Sequence, residues 1–154
     1  MSKVLEFKNI SREFSLNNNT LRVLRNINFS INQKERVALI GPSGAGKTSF
    51  LHIAGLLELP TTGEVYINRN IIDWNSDKIL SHHRLNDIGF IFQFNNLLDD
   101  FNATENTAIP FILSGNSKKL SIEKAEFLLS EVGLKDRLKS FPNQLSGGEQ
   151  QRVA

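Results

Sequence analysis

No cysteine occurs among the 154 residues. That excludes disulfide staples, thiolate metal ligands and thiol nucleophiles together, and it fits a reducing compartment. No apolar run approaches the roughly 18 residues needed to span a bilayer, so any membrane association is expected to be peripheral. The start, Met1-Ser2-Lys3-Val4-Leu5-Glu6, passes directly into strand-like alternation and lacks the charged-then-apolar order of a secretory leader. A cytosolic location is the expectation. An excess of one charge is lacking too: eighteen Lys and Arg against sixteen Asp and Glu leave a formal net charge of +2, too small to argue for nucleic acid. Lys118 and Lys119, or Lys135, Arg137 and Lys139, stand among acids and read as solvated surface.

What is present is an ordinary globular composition, 40% hydrophobic and 22% charged, at a length suited to one domain. Leu5 and Phe7 alternate with Glu6 and Lys8, and Ile27, Phe29 and Ile31 with Asn28 and Ser30, which predicts half-buried antiparallel strands. The cluster Asn17-Asn18-Asn19 reads as a turn between short strands. Val37-Ala38-Leu39-Ile40 is continuously apolar, as in a strand buried on both faces, and it runs through a glycine-rich loop into an apolar helix around Phe50 to Leu57. Further strands are expected at Glu64 to Ile67 and Ile88 to Phe92. From Asn102 the period becomes helical. Asn102 and Glu105 are spaced as a capping box, Ile122, Ala125, Leu129 and Val132 form one stripe, and Ser121 and Gly133 read as the N-cap and stop of that helix. His52 falls on the helix after the loop and reads as packing or exposure, and His82 and His83 as a polar loop.

Gly41-Pro42-Ser43-Gly44-Ala45-Gly46-Lys47-Thr48 fits G-x-x-x-x-G-K-[ST] without departure and lies between an apolar run and a helix, where such a loop must lie to cradle phosphate. Its glycines let successive backbone N–H groups curl round a β-phosphate, and the helix N-terminus adds unpaired N–H groups and the positive end of its dipole. Lys47 can bridge β- and γ-phosphates, and the Thr48 hydroxyl can ligate Mg²⁺. The expected ligands are therefore a nucleoside triphosphate and Mg²⁺, and the loop alone leaves kinases, GTPases and many ATPases open.

Near the end stands Leu145-Ser146-Gly147-Gly148-Glu149-Gln150, where Ser146 reads as an N-cap and the two glycines expose backbone N–H groups at a helix start. Together with the phosphate loop, this stretch resembles the signature motif of the ATP-binding cassette (ABC) ATPases. The resemblance implies an α/β P-loop fold with an N-terminal antiparallel β-subdomain and a helical subdomain. It also implies a head-to-tail dimer in which Leu145 to Gln150 close on the ATP held by the second nucleotide-binding subunit. Ser146 follows Gly46 by 100 residues, a spacing of the transporter type, with no heptad stretch between them.

In Gly89-Phe90-Ile91-Phe92-Gln93 the resemblance makes Gln93 the glutamine that touches Mg²⁺ and the attacking water. Phe14 falls at the place of the aromatic that stacks on adenine, where a Phe keeps the π-face of the usual Tyr; a strand-end core residue is the other reading. The expected division is 1–93 for the β-subdomain and phosphate-loop portion, 94–145 for the helical subdomain, and 145–154 for the signature and the start of its helix. The run Gln93 to Asn106, with Leu97-Leu98, Asp100-Phe101 and Thr104-Glu105-Asn106, resembles the LolD-type lipoprotein-release branch, to which MacB-type and FtsE-type cassettes are close. That implies integral membrane subunits of the LolC and LolE type and a peripheral place on the cytoplasmic face of a bacterial inner membrane.

The family's apolar strand ending in aspartate, the adjoining water-polarising glutamate and the later histidine all follow the signature helix. They are expected to be missing from a chain that stops at Ala154 and so looks truncated at its C-terminus. Ile71-Ile72-Asp73 and Leu97-Leu98-Asp99-Asp100 precede the signature and are poor substitutes. The apolar edge Val37 to Ile40 is then expected to lack a partner strand. Three readings stay open here: the N-terminal part of a transporter ATPase, a nucleotide-binding module that does not hydrolyse, and a decayed product.

Overall fold

The computed structural model describes residues 2–16 and 19–154. The turn expected at Asn17-Asn18-Asn19 falls on 17 and 18 and lies outside the described residues, as does Met1. Two compact units divide the chain, Met1–Ile88 and Gly89–Ala154.

The first unit is built on an antiparallel sheet. Strands β1 (Lys3–Leu16) and β2 (Asn19–Asn32) form a long pair, β3 (Thr62–Ile67) adds to the other edge of β1, and β4 (Asn70–Ile71) pairs with β3, giving the order β2-β1-β3-β4. Strict alternation would send Phe7 and Ile10 to opposite faces, yet both are buried. The register shifts between them, and Asn9 adopts φ 53, a left-handed conformation that Asn tolerates. Asn9 N donates to Asn28 Oδ1 at 3.0 Å and Asn26 N to Ser11 Oγ at 3.0 Å, so side chains satisfy backbone groups that the bulges take out of the ladder. Gly63 on β3 crosses this bulge, where a Cβ would lie 2.5 Å from the Asn9 carbonyl oxygen.

On the sheet pack α1 (Lys47–Ala54) and α2 (Asp77–Asn86). Phe7, Ile10, Ile53, Leu56, Val65 and Leu80 are among the core residues. Phe50 of α1 meets Phe7 at 4.9 Å and Phe29 at 5.2 Å between ring centroids, a trio that fixes the helix against two strands. The helix begins at Lys47, three residues before the expected Phe50, and gives way at Gly55 and Leu56, the latter with φ 55.

Two expected strands are absent. Val37 to Ile40 carries no strand pairing, and Ile40 is 90% exposed. Ile88 to Phe92 likewise forms no strand, and Ile91 is exposed. The physical reason is non-local: a strand buried on both faces exists only between neighbours, and the sheet order includes none beside either run. The expectation that Val37 to Ile40 lacks a partner holds, in the stronger form that no strand is made. His82 and His83 are not in a loop either; they lie on α2, which Ser76 caps through its side chain.

The second unit is helical: α3 (Ala103–Leu113), α4 (Lys118–Glu131) and α5 (Gly147–Val153), with short 3-10 turns at Lys135–Arg137 and Pro142–Gln144. The Asn102–Glu105 capping box forms as expected, with bonds of 2.9 and 3.0 Å. For α4 the N-cap is Ser117, not Ser121. Ser121 is wholly buried one turn inside, its hydroxyl donating to the Ser117 carbonyl at 3.0 Å. Gly133 follows the helix with φ 76, the expected stop. Ala125 and Leu129 are buried while Val132 is exposed, so the stripe is shorter than its spacing implies.

Candidate functional site

In the first unit, residues 41–45 form an exposed loop that runs through the half-buried Gly46 into the first turn of α1. Ala45 N donates to the Pro42 carbonyl at 3.3 Å, closing a turn. Lys47 Nζ then donates to the same carbonyl at 2.7 Å and to the Gly41 carbonyl at 2.9 Å, so the lysine folds back across the loop it follows. An ammonium has three donors, and two are spent holding the loop's shape, which leaves one for a phosphate oxygen.

Gly46 is the N-cap of α1 and no side chain caps this helix, so the N–H groups of its first turn are not engaged by a capping residue. Gly46 has φ 84, and a Cβ there would lie 2.9 Å from both Val23 Cγ1 and the Val23 carbonyl oxygen. Only glycine fits this position. An anchored helix, an uncapped N-terminus and a lysine arched over the loop together make a receptor for a compact polyanion.

Each unit separately offers an oxygen donor of a kind that suits Mg²⁺. Thr48 lies exposed on the first turn of α1 and offers a hydroxyl oxygen, and Gln93 is exposed in the second unit and offers an amide oxygen. Both are hard donors of the kind that cation takes alongside phosphate oxygens. Among the described residues no group of three or more His, Cys, Asp and Glu could hold a metal by itself.

Phe14 is half-buried near the end of β1. One ring face is covered by Arg12, whose guanidinium carbon is 4.3 Å from the centroid. His52 lies on α1 with Nδ1 at 3.7 Å from Glu58 Oε2.

In the second unit, Ser146 caps α5 with a full capping box. Its N–H and its hydroxyl both donate to Glu149 Oε2 at 2.8 Å, and Arg137 Nε donates to Glu149 Oε1 at 3.0 Å. Hydrogen bonds from the Ser146 backbone, then its side chain, then Arg137 hold the Glu149 carboxyl down to about 2. Leu145 is buried in the second core, which anchors the approach to the helix. A Cβ at Gly147 or Gly148 would meet nothing within 4 Å, so another molecule has room to approach the backbone there.

The Gln150 amide is turned to its own chain, donating to the Pro142 carbonyl at 2.7 Å and accepting from Asn95 at 3.1 Å. Sequence reasoning missed Arg12, Asn95 and Arg137. Their partners lie 46, 55 and 12 residues away in sequence, and no local motif marks such pairs.

The ABC transporter family profile matches residues 24–154. The lipoprotein-releasing system ATP-binding protein LolD of Rickettsia bellii is 45% identical over 153 residues, covering 99% of this chain and 67% of its own length. LolD of Aquifex aeolicus is 41% identical over 154 residues, covering 100% and 67%. Among solved structures, the dimeric ATP-binding cassette MJ0796 in a post-hydrolysis state bound to ADP and Pi superposes with a TM-score of 0.90 at 36% identity, over 97% of this chain and 66% of that one. The chain thus spans about two thirds of the length of these relatives.

Proposed function

Since the chain belongs to the ABC transporter family, we propose that it supplies the ATP-binding portion of a cassette that drives lipoprotein release, as its LolD relatives are named to do. The observation that carries the nucleotide reading is the Lys47 arch over the Gly41 and Pro42 carbonyls, at an uncapped helix N-terminus. Gly41, Pro42, Ser43, Gly44, Ala45 and Gly46 wrap the β-phosphate with backbone N–H groups. Lys47 directs its remaining donor to the β- and γ-oxygens, and Phe14 takes the adenine ring. Thr48 and Gln93 would each offer an oxygen to Mg²⁺, which would supply neutralisation of phosphate charge.

Leu145 to Gln150 serve the ATP of a second nucleotide-binding subunit in a head-to-tail dimer, with Gly147 and Gly148 giving the close approach. Residues 1–93, 94–145 and 145–154 take the roles of β-subdomain with phosphate loop, helical subdomain and signature. Among the described residues no helix is long and apolar enough to cross a membrane. The likeness to LolD supports attachment through integral subunits of the LolC and LolE type, at the cytoplasmic face of the inner membrane.

Coexpression with the LolC- and LolE-type subunits of the same source, followed by affinity purification in detergent, tests the transporter assignment. Retention of the chain by those subunits, strengthened by ATP, supports it. Retention instead by the membrane subunit of another cassette contradicts it.

A further inference from the structure

Arg12 and Phe14 stand two residues apart on β1, and the guanidinium of the first lies over one face of the second, 4.3 Å from ring centroid to Cζ. Arg12 is itself held. Its Nε pairs with Glu58 Oε1 at 2.5 Å, and the two side chains are only 23% and 17% exposed. Glu58 lies just beyond α1, where its N–H donates to the His52 carbonyl at 3.3 Å and Oε2 lies 3.7 Å from His52 Nδ1. The backbone on either side of Arg12 is tied to the same segment. Thr61 N donates to the Ser11 carbonyl at 2.8 Å, and Glu13 N donates to Thr61 Oγ1 at 2.9 Å. The strand end bearing Phe14 is therefore fixed to the segment continuous with the helix that begins at Lys47.

We propose that Arg12, clamped by Glu58, is a positioning residue for the purine base: it backs the Phe14 ring from one face and so presents the opposite face at a set angle. This rests on the reading of Phe14 as the adenine platform. A phenyl ring near the end of a strand can otherwise rotate about two bonds, and binding a base would have to immobilise it. A stacked guanidinium held by a carboxylate removes that freedom beforehand. Lysine cannot replace it, since an ammonium has no plane to lay against the ring.

The test is calorimetric titration of the full chain with ATP and, separately, with inorganic triphosphate. The forms compared are the unmodified chain, Arg12→Ala, Arg12→Lys, Phe14→Ala and the Arg12→Ala/Phe14→Ala double variant. The expected result is ATP binding weakened about two- to tenfold by Arg12→Ala and by Arg12→Lys, with triphosphate binding unchanged and the double variant no weaker than Phe14→Ala alone. Because Arg12→Lys keeps the charge toward Glu58, it carries the test if Arg12→Ala does not fold. The proposal is overturned if Phe14→Ala weakens ATP binding and the Arg12 variants do not, or if they weaken ATP and triphosphate equally, the mark of a merely structural role. If Phe14→Ala leaves ATP binding unchanged, the adenine-platform reading itself fails, and the inference with it.

Discussion

Arg137 Nε donates to Glu149 Oε1 at 3.0 Å, reaching from a 3-10 turn to the third residue of α5. The same carboxylate receives the Ser146 N–H and hydroxyl, and it is lowered from 4.5 to about 2. A folded value below the unfolded one means that the ionised form is the stabilised form. The contribution is therefore fully present above about pH 4.5 and is lost as pH falls through about 2. Urea unfolding between pH 5 and pH 2 should lose stability more steeply for the unmodified chain than for Glu149→Gln. Added salt should shrink the difference, since the partner Arg137 is exposed. Equal slopes for the two proteins would contradict this origin of the acid sensitivity.

Ser146→Ala removes both the cap of α5 and a donor to Glu149. A loss of about 1 kcal/mol in urea unfolding is expected, together with a rise of the Glu149 value toward the ordinary carboxylate range, measured by carbon-detected NMR titration. A carboxylate that still titrates near 2 in the variant would remove Ser146 from the account.

Gly46→Ala places a Cβ 2.9 Å from Val23 atoms at a residue with φ 84. Strain and overlap together should cost about 1–3 kcal/mol and abolish triphosphate binding, because the loop enters the helix through this residue. A thermal transition unchanged from that of the parent chain would show that the loop relaxes around the methyl group.

Phe50→Ala breaks the trio with Phe7 and Phe29 that holds α1 on the sheet. A partly buried Phe in this setting should cost ~3 kcal/mol, read from chemical unfolding followed by far-UV circular dichroism. Ile40→Lys is the contrasting case. The residue is 90% exposed and unpaired, so stability should move by less than about 0.5 kcal/mol while light scattering from the concentrated protein falls. A large loss of stability would mean that Ile40 packs somewhere in solution.

How much of this was legible depends on the reach of each signal. The Asn102–Glu105 box and the Ser146 N-cap are local features and could be read directly, as could the loop Gly41 to Thr48, whose residue types are dictated by its own backbone; the Glu149 half of the Ser146 box was not read. Ser117 was missed in favour of Ser121 because the apolar stripe begins at Ile122. The helix starts a turn earlier, and its second serine bonds back inside it. Val37 to Ile40 has the composition of a buried strand, but a strand is a relation between segments, and the neighbours that would define it are not in the sheet. Arg12–Glu58 and Asn95–Gln150 join residues far apart in sequence; only the folded chain brings them together.

The central claim is that residues 41–48, closed by Lys47, bind the triphosphate of ATP. Calorimetric titration of the purified chain with ATP, beside Lys47→Ala, tests it most directly. Saturable binding that weakens about 10- to 100-fold in the variant, the worth of a charge-assisted hydrogen bond, with unchanged far-UV circular dichroism, is the predicted result. A folded chain that binds no ATP, or a Lys47→Ala variant that binds it as tightly as the parent, would contradict the account.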